Sequence, residues 1–412
     1  MNSRERILSV WNGKQPDHVP LTTWCFGFTP PQKLRWDNTG RSIKHWYSKR
    51  HEHLHTLPQS WDLEDDFKRV LAWQSIGVDD ILDVSVPWSV HPGVTWKDNV
   101  VSAVSKELYP VMVREYNTPG GALTHAVRKT GEEIEDGWVI QPGYVPLIED
   151  YNVPRAAKHI VTGPADVAKI RYLFQPPDDQ ARKWFTERVK AVKSFADKNG
   201  APVQAWPAYG IDATVWFAGT EGAIMLAMDE PAAFGELIDI IFETDLARTE
   251  LAVSVPGVDM VVQRGWYSST DLWSPDLFEQ YVYPHIAHLA ALAHKHGKKF
   301  GYVMTTGVEK LGPRLAAAGV DVLYFIDPLQ DRVSLEKAYK LLGSSITMVG
   351  GINTLSLSSG NYRKIYDDTR RAIDILGPTN RFILQPVDSL FPDTPWEGME
   401  QVIKAWEGSW KY

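Results

Sequence analysis

Charged and polar side chains follow short apolar runs at two places where they could do chemistry. Gln263 and Arg264 end a run that begins at residue 259, and Asp388 follows the run 381–384. An arginine binds a carboxylate through two parallel hydrogen bonds, or stabilises negative charge that develops in a reaction. A carboxyl group in a poorly hydrated cavity has a raised pKa and can act as a general acid. We therefore expect Asp388 to be the acid and Arg264 to bind the anionic group.

Aromatic residues are the second unusual feature. The chain has 17 Trp, 16 Tyr and 14 Phe among its 412 residues. A tryptophan is costly to bury completely because its N–H needs a partner, and a cavity for a flat apolar ligand is one use for it. We expect Tyr302 to assist the acid, and Trp88, Trp206 and Trp266 to stack on the ligand. The other residues expected to contact it are Tyr209, Gln263, Met304, Asp327, Asn353 and Gln385.

The elements that must position these side chains are short strands that alternate with amphipathic helices. This pattern, with glycine-marked turns, is typical of a parallel sheet with crossover helices. The predicted strands are 19–22, 80–86, 202–209, 259–263, 299–304, 321–326, 346–349 and 381–384. Eight strands predict an α/β fold of the (β/α)8 TIM barrel type, with a doubly wound open sheet as the alternative. In such barrels the chemistry lies at the carboxyl ends of the strands, where the side chains named above fall.

Residues 100–127 interrupt this alternation of strands and helices. Alternating apolar and polar residues surround Pro119-Gly120-Gly121, which predicts a β-hairpin inserted between barrel units. No low-complexity linker or block of charge divides the chain. We therefore predict one barrel domain over residues 1–412.

Composition excludes several classes of protein. The chain has 43 basic and 51 acidic residues and a formal charge of −8, so it lacks the basic excess of a nucleic-acid binder. No apolar run is long enough to span a membrane, and residues 1–6 lack the apolar core of a secretory signal. The single cysteine, Cys25, excludes an internal disulfide and a zinc site with two or four cysteines. We expect a cytoplasmic enzyme without a membrane or nucleic-acid partner, and a homodimer is left open.

Three features are candidates for binding ions. Glu221 follows a turn and could be a metal ligand or an acid, although a carboxylate at a helix N-terminus is the ordinary explanation. His51, His53 and His55 alternate in a way that could bind a metal, or form a solvated face. A zinc site built from Glu, Asp and His stays open. The glycines of Gly350-Gly351 are expected to present backbone N–H groups to an anion.

Several short motifs, taken in order, resemble the uroporphyrinogen decarboxylase superfamily. The amino-terminal ones are Arg4-Glu5-Arg6-Ile7-Leu8 and Pro16-Asp17-His18-Val19-Pro20. Further along the chain are Ser274-Pro275-Asp276-Leu277-Phe278, Gly319-Val320-Asp321-Val322-Leu323, Val349-Gly350-Gly351-Ile352-Asn353 and Pro392-Asp393-Thr394-Pro395-Trp396. The resemblance extends over nearly the whole chain. It implies a (β/α)8 barrel, in agreement with the strand count.

Three departures from the true decarboxylases of this superfamily argue against their reaction. Those enzymes resemble one another in an arginine-rich segment, whereas residues 22–28 contain no arginine. Val86 is expected to stand where the family has the carboxylate that contacts the substrate pyrroles. Asp388 stands where the decarboxylases have a histidine. Without the cationic groups, a substrate with eight carboxylates loses the electrostatic reason to bind.

The other branch of the superfamily contains corrinoid-dependent methyltransferases. Those that methylate a thiol bind zinc through a His-x-Cys pair and a later cysteine. Here the pair reads Tyr302-Val303-Met304 and the later cysteine aligns with Asp388, so thiolate zinc ligands are missing. The resemblance thus implies the demethylating enzymes, which pass a methyl group to the Co(I) of cobalamin on a separate corrinoid protein. We expect a small methoxylated, aromatic methyl donor.

Two other functions stay open at this point. The first is a lyase of the same family that acts on a small carboxylic acid. The second is a binding module that sequesters an aromatic ligand without turnover.

Overall fold

The computed structural model of the protein describes residues 1–25, 28, 31–34, 63–102, 109–128, 153–391 and 394–409. The strands are β1 (Leu82–Ser85), β2 (Thr95–Val101), β3 (Val111–Thr118), β4 (Gly121–Arg128), β5 (Ala156–Lys158), β6 (Val203–Ala208), β7 (Met260–Gln263), β8 (Lys299–Val303), β9 (Val322–Ile326), β10 (Thr347–Asn353) and β11 (Phe382–Val387). Within these ranges, β1 and β6 to β11 form a curved parallel sheet of seven strands in chain order.

Helices connect the parallel strands. The α-helices are α1 (Ser3–Trp11), α2 (Leu63–Gln74), α3 (Pro164–Val167), α4 (Asp179–Asn199), α5 (Asp212–Ala218), α6 (Thr220–Asp229), α7 (Pro231–Ser254), α8 (Pro275–Tyr281), α9 (Tyr283–Lys295), α10 (Val308–Ala318), α11 (Leu335–Leu342), α12 (Tyr362–Leu376) and α13 (Trp396–Ser409). Short 3-10 helices lie at Gln32–Leu34, Ala168–Tyr172, Thr354–Ser358 and Gly377–Thr379. Not one of the helices described is long and apolar enough to cross a bilayer. The predicted parallel sheet with crossover helices is confirmed.

The strand predicted at 19–22 is reduced to a single bridge. Leu21 pairs in parallel with Leu384, and the Thr22 N–H donates to the Leu384 carbonyl at 2.9 Å. On the opposite side, the Asp79 N–H donates to the Leu21 carbonyl at 2.8 Å, three residues before β1. Leu21 therefore lies between the two edges of the parallel sheet. The described chain has seven regular parallel strands, whereas eight were predicted.

The segment predicted as a hairpin contains the antiparallel pair β3 and β4, which are connected at Thr118 and Gly121. Two further strands flank this pair, because β2 pairs with β3 and β5 pairs with β4. Residues 111–128 thus form the centre of a four-stranded antiparallel sheet. The assignment of the whole chain to one domain stays a prediction.

Helix α1 covers the amino ends of the parallel strands. Ile7, Val10 and Trp11 pack with side chains from the inner face of the sheet, such as Met260 and Val262. The Thr347 hydroxyl at the start of β10 donates to the Val10 carbonyl at 3.0 Å. Because this end is filled, the carboxyl ends of the strands are the face that remains for a ligand; we call that face the mouth.

A β-bulge at the carboxyl end of β9 brings two consecutive aromatic rings to the inner face. Val349 pairs with Tyr324 but Gly350 pairs with Ile326, so Phe325 has no partner in the register and has φ +74°. A bulky residue rarely adopts a positive φ. Gly350 itself has φ +143°, and a Cβ there would lie 2.6 Å from the Ile326 carbonyl oxygen. The bulge therefore requires glycine at position 350.

We predict that Gly350→Ala destabilises the protein by about 3 kcal/mol, because it combines a positive φ with a backbone clash. Gly360→Ala is the matched control, since Gly360 has φ +70° and no atom within 4 Å of an added Cβ. It should cost only about 1 kcal/mol, the penalty for the backbone conformation. Urea unfolding of both variants measures the difference. Equal losses in the free energy of unfolding would contradict the role given to the bulge.

Candidate active site at the mouth of the sheet

Five aromatic rings meet at the mouth, and we call them the aromatic cluster: Trp24, Trp206, Trp266, Tyr324 and Phe325. The Trp24 ring stacks on Tyr324 with centroids 5.1 Å apart and an interplanar angle of 22°. Trp206 and Trp266 lie 6.0 Å from each other, and Trp266 lies 5.5 Å from Phe325. Offset and edge-to-face contacts of this kind are favourable for aromatic pairs. The cluster is an apolar surface suited to a flat ring.

A buried carboxylate lies beneath the cluster. The Gln204 side-chain amide and the Trp206 indole N–H each donate to Asp83 Oδ1 at 2.7 Å. The Tyr324 hydroxyl donates to Gln204 Oε1 at 2.6 Å. Asp83 and Gln204 are neighbours in the register of β1 and β6, so their side chains share the inner face. Burial, and then the charge of Asp83, raises the pKa of Tyr324, which stays a neutral donor.

Arg264 is the predicted cation, and it lies between two tryptophan rings. Its guanidinium carbon is 4.2 Å from the Trp266 ring centre and 4.8 Å from that of Trp216. Its Nε is 3.8 Å from the Asp212 carboxylate, whose oxygens accept the backbone N–H groups of Trp266 and Tyr267 at 3.0 Å each. Cation–π contacts with both rings stabilise the guanidinium at this position. Arg264 and Trp266 are thus brought together by the loop after β7.

Trp88 and Tyr209, which were predicted to contact the ligand, do not belong to the aromatic cluster. Both pack in the layer between the sheet and the helices, around the buried guanidinium of Arg248. The Arg248 Nε and Nη2 donate to the Val86 carbonyl at 3.0 and 2.6 Å, and its Cζ lies 4.1 Å from the Tyr209 ring centre. Trp88 is 6.1 Å from Tyr209. These two residues stabilise the carboxyl ends of β1 and β6 from outside.

Tyr302, Met304 and Gln263 also lie behind the sheet and not at the mouth. Tyr302 and Met304 are fully buried in the layer beneath the helices, while the neighbouring Val303 packs on the inner face. The Tyr302 hydroxyl donates to Ser268 Oγ at 2.7 Å, and burial raises its pKa. Gln263 is buried against Gly210. Consecutive strand residues alternate between faces, which puts these three on the side away from a ligand.

Gln385 in β11 and Asp388 just after it, both predicted site residues, have different surroundings. Gln385 is buried, and its Oε1 accepts the Thr22 hydroxyl at 2.9 Å. No residue in the described part of the chain hydrogen-bonds to its Nε2, which is buried. Asp388 follows β11 at the mouth with φ +73°, but its side chain is exposed. The poorly hydrated setting expected for Asp388 is not found around it.

Asp327 and Asn353 are brought together by the ends of β9 and β10. The Asn353 amide donates to Asp327 Oδ2 at 2.6 Å, and Asp327 Oδ1 accepts the Leu329 N–H at 2.8 Å. Their polar groups therefore fix two loops of the mouth. Gly351 has φ +99°, and a Cβ there would be 3.0 Å from Ala372 and Phe382, so close packing explains this glycine.

Metal binding at Glu221 is not supported. Its side chain is exposed in the first turn of α6, as the ordinary explanation predicted. Among the described residues, no group of three or more His, Cys, Asp or Glu side chains could hold a metal ion. His51, His53 and His55 lie outside the described residues. A zinc ion therefore does not fit the donor set described, and we derive no chemical step from one.

A second concave feature lies away from the aromatic cluster. A cleft of about 560 Å³ runs between the chain after β5 and one face of α6. Its lining includes Lys158, His159, Met225 and Asp229, and none of the predicted site residues. The mouth, by contrast, brings together inward-facing rings, a cation and a buried carboxylate, which is the stronger indication of a site.

The residues of the site that the sequence did not indicate include Asp83, Gln204, Tyr324 and Phe325. Val86, just after β1, was expected from the sequence to stand where the family has a carboxylate. Asp83 lies three residues earlier on the same strand and supplies an inner carboxylate. The available signal was the alternation of side chains along β1, which puts Asp83 on the face opposite Val84.

We predict that Asp83→Ala lowers the free energy of unfolding by about 2–4 kcal/mol, because two buried donors lose their acceptor. Asp83→Asn should cost less, since its side-chain oxygen can still accept. The near-ultraviolet circular dichroism of the aromatic residues should weaken with the alanine variant. Asp276→Ala, an exposed position on α8, is the control and should leave both measurements unchanged. An Asp83→Ala protein as stable as the control would refute the anchoring role.

Comparison with known proteins agrees with this architecture. No curated protein matches the sequence. A solved methyltransferase from Methanosarcina mazei is similar over 99% of this chain and 99% of that chain, with 17% identity and a TM-score of 0.58. A 3-keto-D-glucoside 4-epimerase from E. coli is 12% identical over 55% of this chain and 86% of that chain, and its TM-score of 0.34 is too low to inform the fold. The family model described as uroporphyrinogen decarboxylase (URO-D) matches residues 147–408. Because that match covers more than half of the chain, the protein belongs to the uroporphyrinogen decarboxylase family.

Proposed function

We propose that this protein is a methyltransferase that demethylates a small methoxylated, aromatic compound and passes the methyl group to the Co(I) of a corrinoid protein. The observation that carries the proposal is the aromatic cluster at the mouth. Family membership supports an enzyme, and the fold shared with a methyltransferase supports this class. We place the reaction in the cytoplasm, with cobalamin on a separate corrinoid protein as the methyl acceptor.

The proposal includes closure of the sheet. Leu21 bridges Leu384 on one side and accepts from the Asp79 N–H on the other, which supports a (β/α)8 barrel with the four-stranded sheet as an insertion. A closed barrel leaves an opening at one end of the sheet only. A substrate ring then enters through the mouth, and its methoxy group must face outward to be reached by a second protein.

Binding depends on stacking and on one cation. The rings of Trp206 and Trp266 offer faces for the substrate, and Arg264 can bind a carboxylate or a phenolate oxygen on the same ring. The buried guanidinium of Arg248, in the layer outside β1 and β6, already donates to the Val86 carbonyl. A substrate with many carboxylates therefore lacks partners, which supports a compound with few charges.

Catalysis concerns the leaving oxygen. A reduced corrinoid supplies the electron pair that takes the methyl group, so the ether oxygen keeps the pair of the broken C–O bond and must gain a proton. We propose Asp388 as the proton donor, because it lies at the rim where a docked protein would cover it. Covering a carboxyl group removes water and raises its pKa, which favours the protonated form. Tyr302 is withdrawn as a second donor, since its hydroxyl is buried behind the sheet.

A second function is favoured by Arg264. A guanidinium held between two rings is suited to a small aromatic acid, and a lyase that removes carbon dioxide from such an acid would use the same mouth. Release of carbon dioxide without any corrinoid would identify that reaction. Methyl transfer to a corrinoid without release of carbon dioxide would identify the methyltransferase.

The test combines a panel of methoxyarenes with reduced cobalamin and measures the absorption spectrum of the methylated corrinoid. The wild-type protein should produce it with at least one compound. Asp388→Asn should fold normally and lose activity by about 10²–10⁴-fold, the usual value of a general acid. Asp276→Asn is the matched exposed carboxylate and should keep the wild-type rate. A wild-type rate in Asp388→Asn would remove the proposed acid.

A further inference from the structure

Trp24 has a different position from the other members of the aromatic cluster. Its ring packs against all four of them: Tyr324 at 5.1 Å, Phe325 at 5.3 Å, Trp206 at 5.4 Å and Trp266 at 6.0 Å. The contact with Tyr324 is stacked, and those with Trp206 and Phe325 are edge-on. The Trp24 indole thus lies in the middle of the cluster, in a slot that these rings bound.

Each ring around the slot is fixed by an interaction of its own. The Trp206 indole donates to Asp83 at 2.7 Å, and the Tyr324 hydroxyl donates to Gln204 at 2.6 Å. The Trp266 ring lies 4.2 Å from the guanidinium carbon of Arg264.

Phe325, the fourth ring around the slot, is directed inward by the β-bulge and its positive φ. Because moving these rings would break a hydrogen bond, a cation–π contact or the bulge, they are the stationary walls.

Trp24 is fixed by its backbone and not by its side chain. Its carbonyl accepts the Leu390 N–H at 2.7 Å, and the neighbouring Cys25 pairs with Leu390. No residue that the structure describes makes a hydrogen bond to its indole, and the side chain is partly exposed. Rotation about its side-chain bonds would therefore break ring contacts only.

We propose that the Trp24 indole occupies the position that the substrate ring takes, and that it rotates out when the substrate binds. This inference rests on the proposed function, since it takes the substrate to be an aromatic methyl ether. A planar ring restores the stacking that Trp24 gives up on Tyr324, whereas an aliphatic methyl ether does not. Trp24 thereby determines specificity for aromatic over aliphatic donors.

The consequence is an intramolecular competition. A ligand that must displace Trp24 binds with a reduced apparent affinity. This affinity is the intrinsic affinity multiplied by the fraction of molecules in which the slot is open. Removing the indole should therefore tighten binding, whereas removing a wall should weaken it. The two substitutions change the ligand affinity in opposite directions, which distinguishes a competing ring from a wall.

The first test is calorimetric titration with 2-methoxyphenol in the absence of any corrinoid. Trp24→Ala should bind it about tenfold more tightly than the wild type. Trp266→Ala should bind it about tenfold more weakly, and Trp96→Ala, an exposed indole on β2, should bind it like the wild type. Unchanged or weaker binding by Trp24→Ala would overturn the proposal.

A second measurement uses the wild-type chain and does not depend on how the alanine variant folds. With 5-fluorotryptophan incorporated, the fluorine resonance of Trp24 is assigned from its loss in Trp24→Phe. Addition of 2-methoxyphenol should shift this resonance and increase its sensitivity to replacement of H2O by D2O, as the ring enters solvent. A Trp24 resonance that stays in place while the ligand binds would overturn the proposal.

These binding measurements separate the inference from the proposed function. Tighter binding by Trp24→Ala without methyl transfer in any assay would support Trp24 as a competing ring and refute the methyltransferase function. Methyl transfer by the wild type together with weaker binding by Trp24→Ala would support the methyltransferase function and refute the role of Trp24.

Discussion

The carboxylate of Asp83, buried inside the curved sheet, is the group on which the geometry of the mouth depends. A charge removed from water is costly unless hydrogen bonds compensate it. The donors from Gln204 and Trp206 give this compensation, and the Tyr324 hydroxyl is bound in turn by Gln204. Three strands, β1, β6 and β9, are thereby connected through side chains as well as through the backbone. Because the acceptor is fixed, the rings above it are fixed too.

This arrangement explains how an apolar mouth can be rigid. Stacked rings alone would slide against one another, since contacts between apolar groups have little directionality. Hydrogen bonds to Asp83, the cation–π contact of Arg264 with Trp266, and the bulge at Phe325 each define one wall. The amino ends of the strands are filled by α1, so the ordered rings face the carboxyl-end opening. A flat ligand with few charges is the kind of molecule that such walls recognise.

The sequence predicted the level of the site within the fold but not the face on which each side chain lies. Positions at or near the end of an apolar run lie toward the carboxyl ends of parallel strands, and Trp206, Arg264 and Trp266 do lie at the mouth. Tyr302 and Met304 were at the same level but on the outer face, because strand residues alternate and the phase cannot be read from apolar runs that are buried on both sides.

Local irregularities account for the remaining differences. The bulge shifts the alternation of side chains between the two faces at Phe325, and no pattern in the residues Val322–Ile326 predicts it. Asp83 was missed because it lies in the middle of a strand, where a carboxylate is not expected. Its partners come from another strand, 121 and 123 residues further along the chain. The eighth strand is a single bridge at Leu21, too short for a periodic signal.

The central claim is that the ring of a methylated aromatic compound binds within the aromatic cluster. A crystal structure of the protein with 2-methoxyphenol tests it most directly. The account predicts the ligand ring against Tyr324, between Trp206 and Trp266, with its methoxy group toward the opening. A ligand found in the cleft lined by His159 and Met225, with the aromatic cluster undisturbed, would contradict the account.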